Sequence, residues 1–112
     1  MFNLFNKTAV KNISPAELTN LIADNQSLVI IDVRTPQEYA HDGHIAHSRL
    51  MPLASVANRI NELPEDKPII FVCRSGSRSA MACELLEKAG YTNAINLSGG
   101  MIAWKRAGLA AR

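Results

Sequence analysis

The sequence predicts a three-layer α/β domain around a mostly parallel sheet, on three observations. The runs Leu28-Val29-Ile30-Ile31-Asp32-Val33 and Ile69-Ile70-Phe71-Val72 are apolar and rich in β-branched residues. They read as strands buried on both faces, which is how a parallel sheet reads. Helix-start signals fall between the apolar runs, so strands alternate with helices. At 112 residues the chain is large enough for one sizeable core and too small for two.

The elements follow in order. Residues 1–8 read as an N-terminal arm, and the domain spans 9–110. Ala9 to Asn12 is a short first strand. Ser14-Pro15-Ala16-Glu17 starts a helix: Ser14 caps, Pro15 suits the first helical position and Glu17 closes a capping box. Asp24-Asn25-Gln26-Ser27 breaks that helix, and Leu28 to Val33 is the central strand. Thr35-Pro36-Gln37-Glu38 repeats the cap pattern and opens a helix ending near Gly43. Ser48 to Leu50 is a short strand, and Ala54 to Glu62 a helix. Pro68 to Val72 is the next buried strand. A helix from Ser77 to Lys88 stops at Ala89-Gly90. Asn93 to Leu97 is the last strand, Gly99-Gly100 a turn, and Met101 to Arg106 a final helical piece.

Composition narrows the function classes. Twelve Lys and Arg against ten Asp and Glu give +2, too weak a bias to point to nucleic acid or an anionic membrane. No apolar stretch reaches the length of a membrane span, and Met1 to Lys7 does not read as a signal peptide. Two cysteines make no disulfide framework, and free thiols fit a reducing, cytoplasmic setting.

The chemistry concentrates in Cys73-Arg74-Ser75-Gly76-Ser77-Arg78-Ser79. This loop joins the end of a strand to the start of a helix, at the carboxyl edge of the sheet where parallel α/β domains put their sites. Backbone N–H groups converging there form an anion cradle and favour a thiolate over a thiol. Gly76 permits the tight turn, while Ser75, Ser77 and Ser79 keep bulk away from a bound anion. Arg74 and Arg78 add fixed positive charge. One clamps substrate and the other braces the loop; the residues alone leave open which.

Four blocks resemble single-domain rhodanese-type sulfurtransferases. They are Asp32-Val33-Arg34-Thr35-Pro36-Gln37-Glu38-Tyr39, Gly43-His44-Ile45, Cys73 to Ser79, and Gly99-Gly100-Met101-Ile102-Ala103-Trp104. The resemblance runs from about Ser14 to Leu109 in the family's order. It implies a rhodanese-like domain with a central, mostly parallel sheet of about five strands. It also implies a thiosulfate sulfurtransferase. Cys73 would take sulfane sulfur from thiosulfate or a related persulfide donor and pass it to cyanide or another thiophilic acceptor. Arg74, Ser75, Gly76, Ser77, Arg78 and Ser79 would hold the anion, with no cofactor beyond the cysteine persulfide. Partners would be small anionic donors, thiophilic acceptors or a sulfur-relay protein, served by an exposed loop on a monomer. A sulfur-carrier or regulatory domain with an idle cysteine is one alternative. A cysteine phosphatase or arsenate reductase is another. Such loops place five residues between the cysteine and a clamping arginine, and here Arg78 falls one position early.

Other candidates are weighed against plainer roles. Asp32, Arg34 and Glu38 are read as pocket wall or structural support: either Asp32 or Arg34 lines the pocket, or an Arg34–Glu38 ion pair fixes the strand-to-helix corner while Asp32 accepts loop hydrogen bonds. His41, His44 and His47 recur every three residues, but Gly43 interrupts the helix and no ligand set is complete, so no metal is expected. His47 departs from the resembled family, where glycine is common. Cys83 reads as a core thiol rather than a resolving partner for Cys73. Trp104 reads as packing, Tyr39 and Tyr91 as anchors, and Lys105 and Arg106 as a solvated face.

Overall fold

A computed structural model describes residues 10–24 and 27–112. The expected arm over residues 1–8, together with Ala9, lies outside them. The strands are β1 (Lys11–Ile13), β2 (Val29–Asp32), β3 (Arg49–Leu50), β4 (Ile69–Val72) and β5 (Ala94–Leu97), in the order β1-β5-β4-β2-β3. Every described pairing is parallel. The helices are α1 (Pro15–Ala23), α2 (Pro36–His41), α3 (Leu53–Val56), α4 (Ser77–Lys88) and α5 (Gly100–Arg106).

The three layers follow from alternation within the central strands. Ile31, Ile69 and Phe71 face Val56 of α3 and Ala82, Cys83 and Leu86 of α4. Their neighbours Ile30, Ile70 and Val72 face Leu18 of α1 and Met101 and Trp104 of α5. Adjacent residues of one strand thus enter opposite cores, which is why these strands are apolar throughout. Both expected capping boxes form: the Ser14 and Thr35 side chains accept from the backbone of Glu17 and Glu38, which reach back to the cap N–H groups.

Most element boundaries shift by a residue or two from expectation, and two differences have a visible cause. The first strand begins at Lys11, because its register is set by pairing with Ile95, Asn96 and Leu97. The helix expected over 54–62 is instead α3 followed by a 3₁₀ turn at Ile60–Glu62. There Arg59 leaves helical backbone at φ −111° and ψ 16°, and the Tyr91 hydroxyl anchors the turn by donating to the Ile60 carbonyl at 2.9 Å.

The strands end together. Asp32 is in register with Val72, and Asn96 with Phe71. The residues following β2, β4 and β5 therefore meet above one edge of the sheet.

Candidate active site

Cys73 is the first residue beyond β4, and its sulfur lies inside the turn that leads into α4. Gly76 takes φ 105°, a left-handed conformation that suits glycine. This turns its N–H onto Cys73 Sγ at 3.0 Å. From the first turn of α4, Ser79 Oγ stands 3.3 Å from the same sulfur. Burial pushes the Cys73 thiol up. The Ser79 hydroxyl and the backbone N–H groups of Ser79, Gly76 and Ser75 outweigh burial, so the thiol lies below its ordinary value.

The loop was expected to be exposed. Arg74, Ser75 and Ser77 are exposed, but Cys73 itself is 0% exposed. Its side chain joins the core layer of Val33, Val56, Ala82 and Cys83, and α5 closes the other side of the loop. Met101 N–H donates to the Cys73 carbonyl at 2.8 Å, and Ile102 N–H to the Arg74 carbonyl at 3.1 Å. The loop's carbonyls are drawn toward α5, which leaves N–H groups to face the sulfur. Gly100 makes this approach possible: a Cβ there would stand 2.3 Å from the Cys73 carbonyl oxygen.

The charged residues pair differently from expectation. No Arg34–Glu38 pair forms. Arg34 instead pairs with Asp32 through Nε and Nη2, the latter at 2.8 Å, with both side chains 1% exposed. Arg34 Nη2 also donates to the Gly43 carbonyl at 2.7 Å, which ties the end of β2 to the turn after α2. Its position on a buried strand end puts Asp32, two residues away, within reach. Glu38 lies on α2 and turns toward α4, where Arg78 meets it with two contacts of 2.8 Å. Arg78 is thus occupied by a protein carboxylate. Arg74 is exposed and lines a cavity of about 400 Å³ with Arg34, Asp42, Met101, Ile102 and Lys105.

Sequence reasoning missed Asn96. It is 6% exposed, and its Oδ1 receives the Ser79 hydroxyl at 2.5 Å. Its Nδ2 donates to Asn12 Oδ1 at 3.1 Å and to the Gly76 carbonyl at 3.2 Å. The available signal was a polar residue inside the otherwise apolar strand Ala94-Ile95-Asn96-Leu97, since a buried amide needs partners.

The remaining candidates serve the frame. Cys83 is buried against α4's apolar neighbours, and burial, with smaller contributions from Glu87 and Glu84, pushes its thiol up to about 12. His44 stacks on Tyr39 with ring centres 3.7 Å apart, and its Nδ1 meets the Tyr39 carbonyl. No group of three or more His, Cys, Asp or Glu side chains is placed to hold a metal among the described residues. No described helix is long and apolar enough to cross a membrane. Trp104 is 4% exposed in the core and donates to the Ala110 carbonyl.

Comparison with known proteins identifies the family of this domain. Residues 14–107 match the family described as Rhodanese-like domain. A protein named "Sulfurtransferase" from Allochromatium vinosum is 39% identical over 100 residues, covering 89% of this chain and 92% of its own length. A thiosulfate sulfurtransferase, GlpE, of Pseudoalteromonas translucida is 36% identical over 99 residues, covering 88% and 92%. A solved rhodanese-like domain protein from Staphylococcus aureus superposes with a TM-score of 0.81 at 35% identity, over 92% of this chain and 99% of that one.

Proposed function

The chain belongs to the rhodanese-like domain family, and from that premise we propose that it is a sulfurtransferase working through a persulfide on Cys73. The observation that carries this reading is a buried sulfur facing the Gly76 N–H and the Ser79 hydroxyl. Groups that hold a thiolate also hold a persulfide anion, because each presents negative sulfur to fixed donors.

The reaction has two displacements. In the first, the Cys73 thiolate attacks the outer sulfur of thiosulfate. A new sulfur–sulfur bond forms, the old one breaks, and sulfite leaves with the electron pair. In the second, a thiophilic acceptor such as cyanide attacks the terminal sulfur, and Cys73 departs as thiolate. This is covalent catalysis in a ping-pong pattern. No general base is required once the thiol has ionised, which its lowered value favours, and the leaving group is a stable anion.

The two arginines divide the work. Arg74, at the rim of the cavity beside the loop, attracts and orients the anionic donor. Arg78 braces the loop through Glu38. That engagement also argues against an oxyanion enzyme, in which the arginine near the end of the loop must be free to clamp substrate.

Intact mass tests the proposal. Reduced protein treated with thiosulfate should gain the mass of one sulfur atom, and cyanide should remove it with release of thiocyanate. Cys73→Ser should gain nothing. A sulfur gain that survives in Cys73→Ser would overturn the assignment of Cys73. Failure of wild type to gain sulfur from thiosulfate and from small organic persulfides would overturn sulfur transfer.

A further inference from the structure

Beside the Gly76 N–H, which serves the Cys73 sulfur alone, one hydroxyl at this site faces two acceptors. The Ser79 hydroxyl lies within reach of both Asn96 Oδ1 and Cys73 Sγ, and it has a single hydrogen to donate. The orientation of Asn96 is settled by its neighbours. Its Nδ2 faces two acceptors, Asn12 Oδ1 and the Gly76 carbonyl, so the amide nitrogen belongs on that side and Oδ1 faces Ser79. Among the described residues, Ser79 is the only donor that reaches Asn96 Oδ1.

We propose that Asn96 is a positioning residue that competes with the Cys73 sulfur for the Ser79 hydrogen and so sets how readily that sulfur becomes an anion. When Cys73 is a thiol, Ser79 donates to Asn96, and the S–H can donate to the Ser79 oxygen. When the sulfur is anionic, the Ser79 hydrogen swings to it, and Asn96 Oδ1 is left without a donor in a buried place. That orphaned carbonyl carries a cost, so Asn96 acts as a brake on thiolate formation. The brake has a chemical use. A thiolate made too stable is a poor nucleophile, and attack is fastest when the thiol titrates near ambient pH. The N–H groups of the loop pull the thiol down, and Asn96 keeps it from falling too far. Its Nδ2 meanwhile fixes the Gly76 peptide whose N–H meets the sulfur.

The charged groups around the loop are Arg78 with Glu38, Asp32 with Arg34, and Arg74 and Lys105 at the rim. Glu38, held down at about 2 by Arg78, keeps its charge while the thiol titrates, and Arg78 is raised by the same pairing. β5 contributes only the neutral Asn96 to this surrounding.

This inference deepens the persulfide reading and draws its meaning from it, but its test does not use sulfur transfer. The thiolate ultraviolet absorbance of Cys73 is titrated in a Cys83→Ala background for the parent, Ser79→Ala, Asn96→Ala and the double variant, with Cys73→Ser as the blank. Ser79→Ala should raise the midpoint by about one pH unit. Asn96→Ala should shift the midpoint downward relative to its shift in the Ser79→Ala background, where only the loss of bracing remains. Equal shifts in both backgrounds, or a more upward shift when Ser79 is present, would overturn the competition.

A second readout needs no change at Asn96. The Asn96 side-chain carbonyl carbon, followed by NMR in wild type, should move with the Cys73 midpoint, and this movement should vanish in Ser79→Ala. An immobile signal in wild type, or an equal movement without the Ser79 hydroxyl, would also overturn it. Either failure leaves the mass test of sulfur transfer untouched. Absence of a sulfur gain, conversely, leaves the titration readable.

Discussion

The Arg78 guanidinium and the Glu38 carboxylate meet in a two-pronged pair, each contact 2.8 Å, across 40 positions of sequence. The pair joins the helix that follows the Cys73 loop to the helix that follows β2. It therefore sets how far apart two loops stand at the same edge of the sheet. Glu38 also closes the capping box with Thr35, so one carboxylate holds both the start of α2 and its neighbour.

This pair should make stability depend on acid in a defined window. Hydrogen bonds from Arg78 hold the Glu38 carboxyl down at about 2, from an ordinary 4.5. A depressed carboxyl contributes stability that is fully present above the unfolded value and is lost as pH falls through the folded one. Glu38→Gln keeps the capping box and removes the charge. It should cost about 1 kcal/mol at neutral pH, a modest value because solvent reaches both partners. Urea unfolding should show that deficit shrinking between pH 4.5 and about 2. A deficit unchanged across that window would assign the loss to packing.

Arg74 and Arg78 should separate in their effects. Arg74→Ala removes an exposed charge at the cavity rim. It should lower kcat/KM for thiosulfate about tenfold, flatten its salt dependence and leave the unfolding midpoint unchanged. Arg78→Ala leaves Glu38 without its partner and should lower the midpoint. Equal kinetic and stability losses for both variants would show that the two side chains share one role.

Much of the frame was legible because it rests on local rules. The two capping boxes, the doubly buried strands and the glycine of the Cys73 loop each follow from a few adjacent residues. The charge pairing was not legible. Arg34 and Glu38 are four apart and look like partners, yet each finds a better one elsewhere. Arg34 is drawn into the interior beside Asp32, while Glu38 faces a helix 40 residues on. Gly100 was read as a turn residue, and its closer purpose, contact with the Cys73 carbonyl, depends on where α5 lands. Long-range contacts of this kind leave only a faint trace in the chain, such as one asparagine in an apolar strand.

Gly100→Ala should damage both fold and site. The residue takes φ 56°, and a new Cβ would stand 2.3 Å from the Cys73 carbonyl oxygen and 2.6 Å from the Arg74 carbonyl group. Those atoms are backbone and cannot swing aside. Gly90→Ala is the comparison, since its φ is 94° and nothing lies within 4 Å of the new Cβ. Gly90→Ala should cost about 1 kcal/mol from backbone strain alone. Gly100→Ala should cost about 2–4 kcal/mol in urea unfolding and raise the Cys73 titration midpoint. Equal costs at the two positions would mean that α5 can withdraw without disturbing the loop.

The two thiols should differ sharply toward a small alkylating agent. Cys73 lies below its ordinary value and Cys83 is pushed up to about 12. Only the thiolate reacts, so the folded protein should be labelled on Cys73 alone, at a rate that rises with pH and levels off below the ordinary thiol range. Labelling of Cys83 should appear only on unfolding. Peptide mapping after timed alkylation checks both statements, and early labelling of Cys83 would contradict the upward push on its thiol.

His47 is the one residue other than glycine with positive φ, 68°, among the described residues. A left-handed conformation costs an L-residue about 1–2 kcal/mol, less for residues whose side chain bonds locally. Glycine escapes that strain but gains freedom in the unfolded chain, which returns part of the benefit. The side chain is exposed, so little packing is lost on its removal. His47→Gly should therefore stabilise the domain by a net of about 0.5–1 kcal/mol. His47→Ala keeps the strain and should not stabilise. Urea unfolding of the two variants beside wild type decides the matter. If alanine stabilises as much as glycine, the gain comes from losing the imidazole rather than from relieving the backbone.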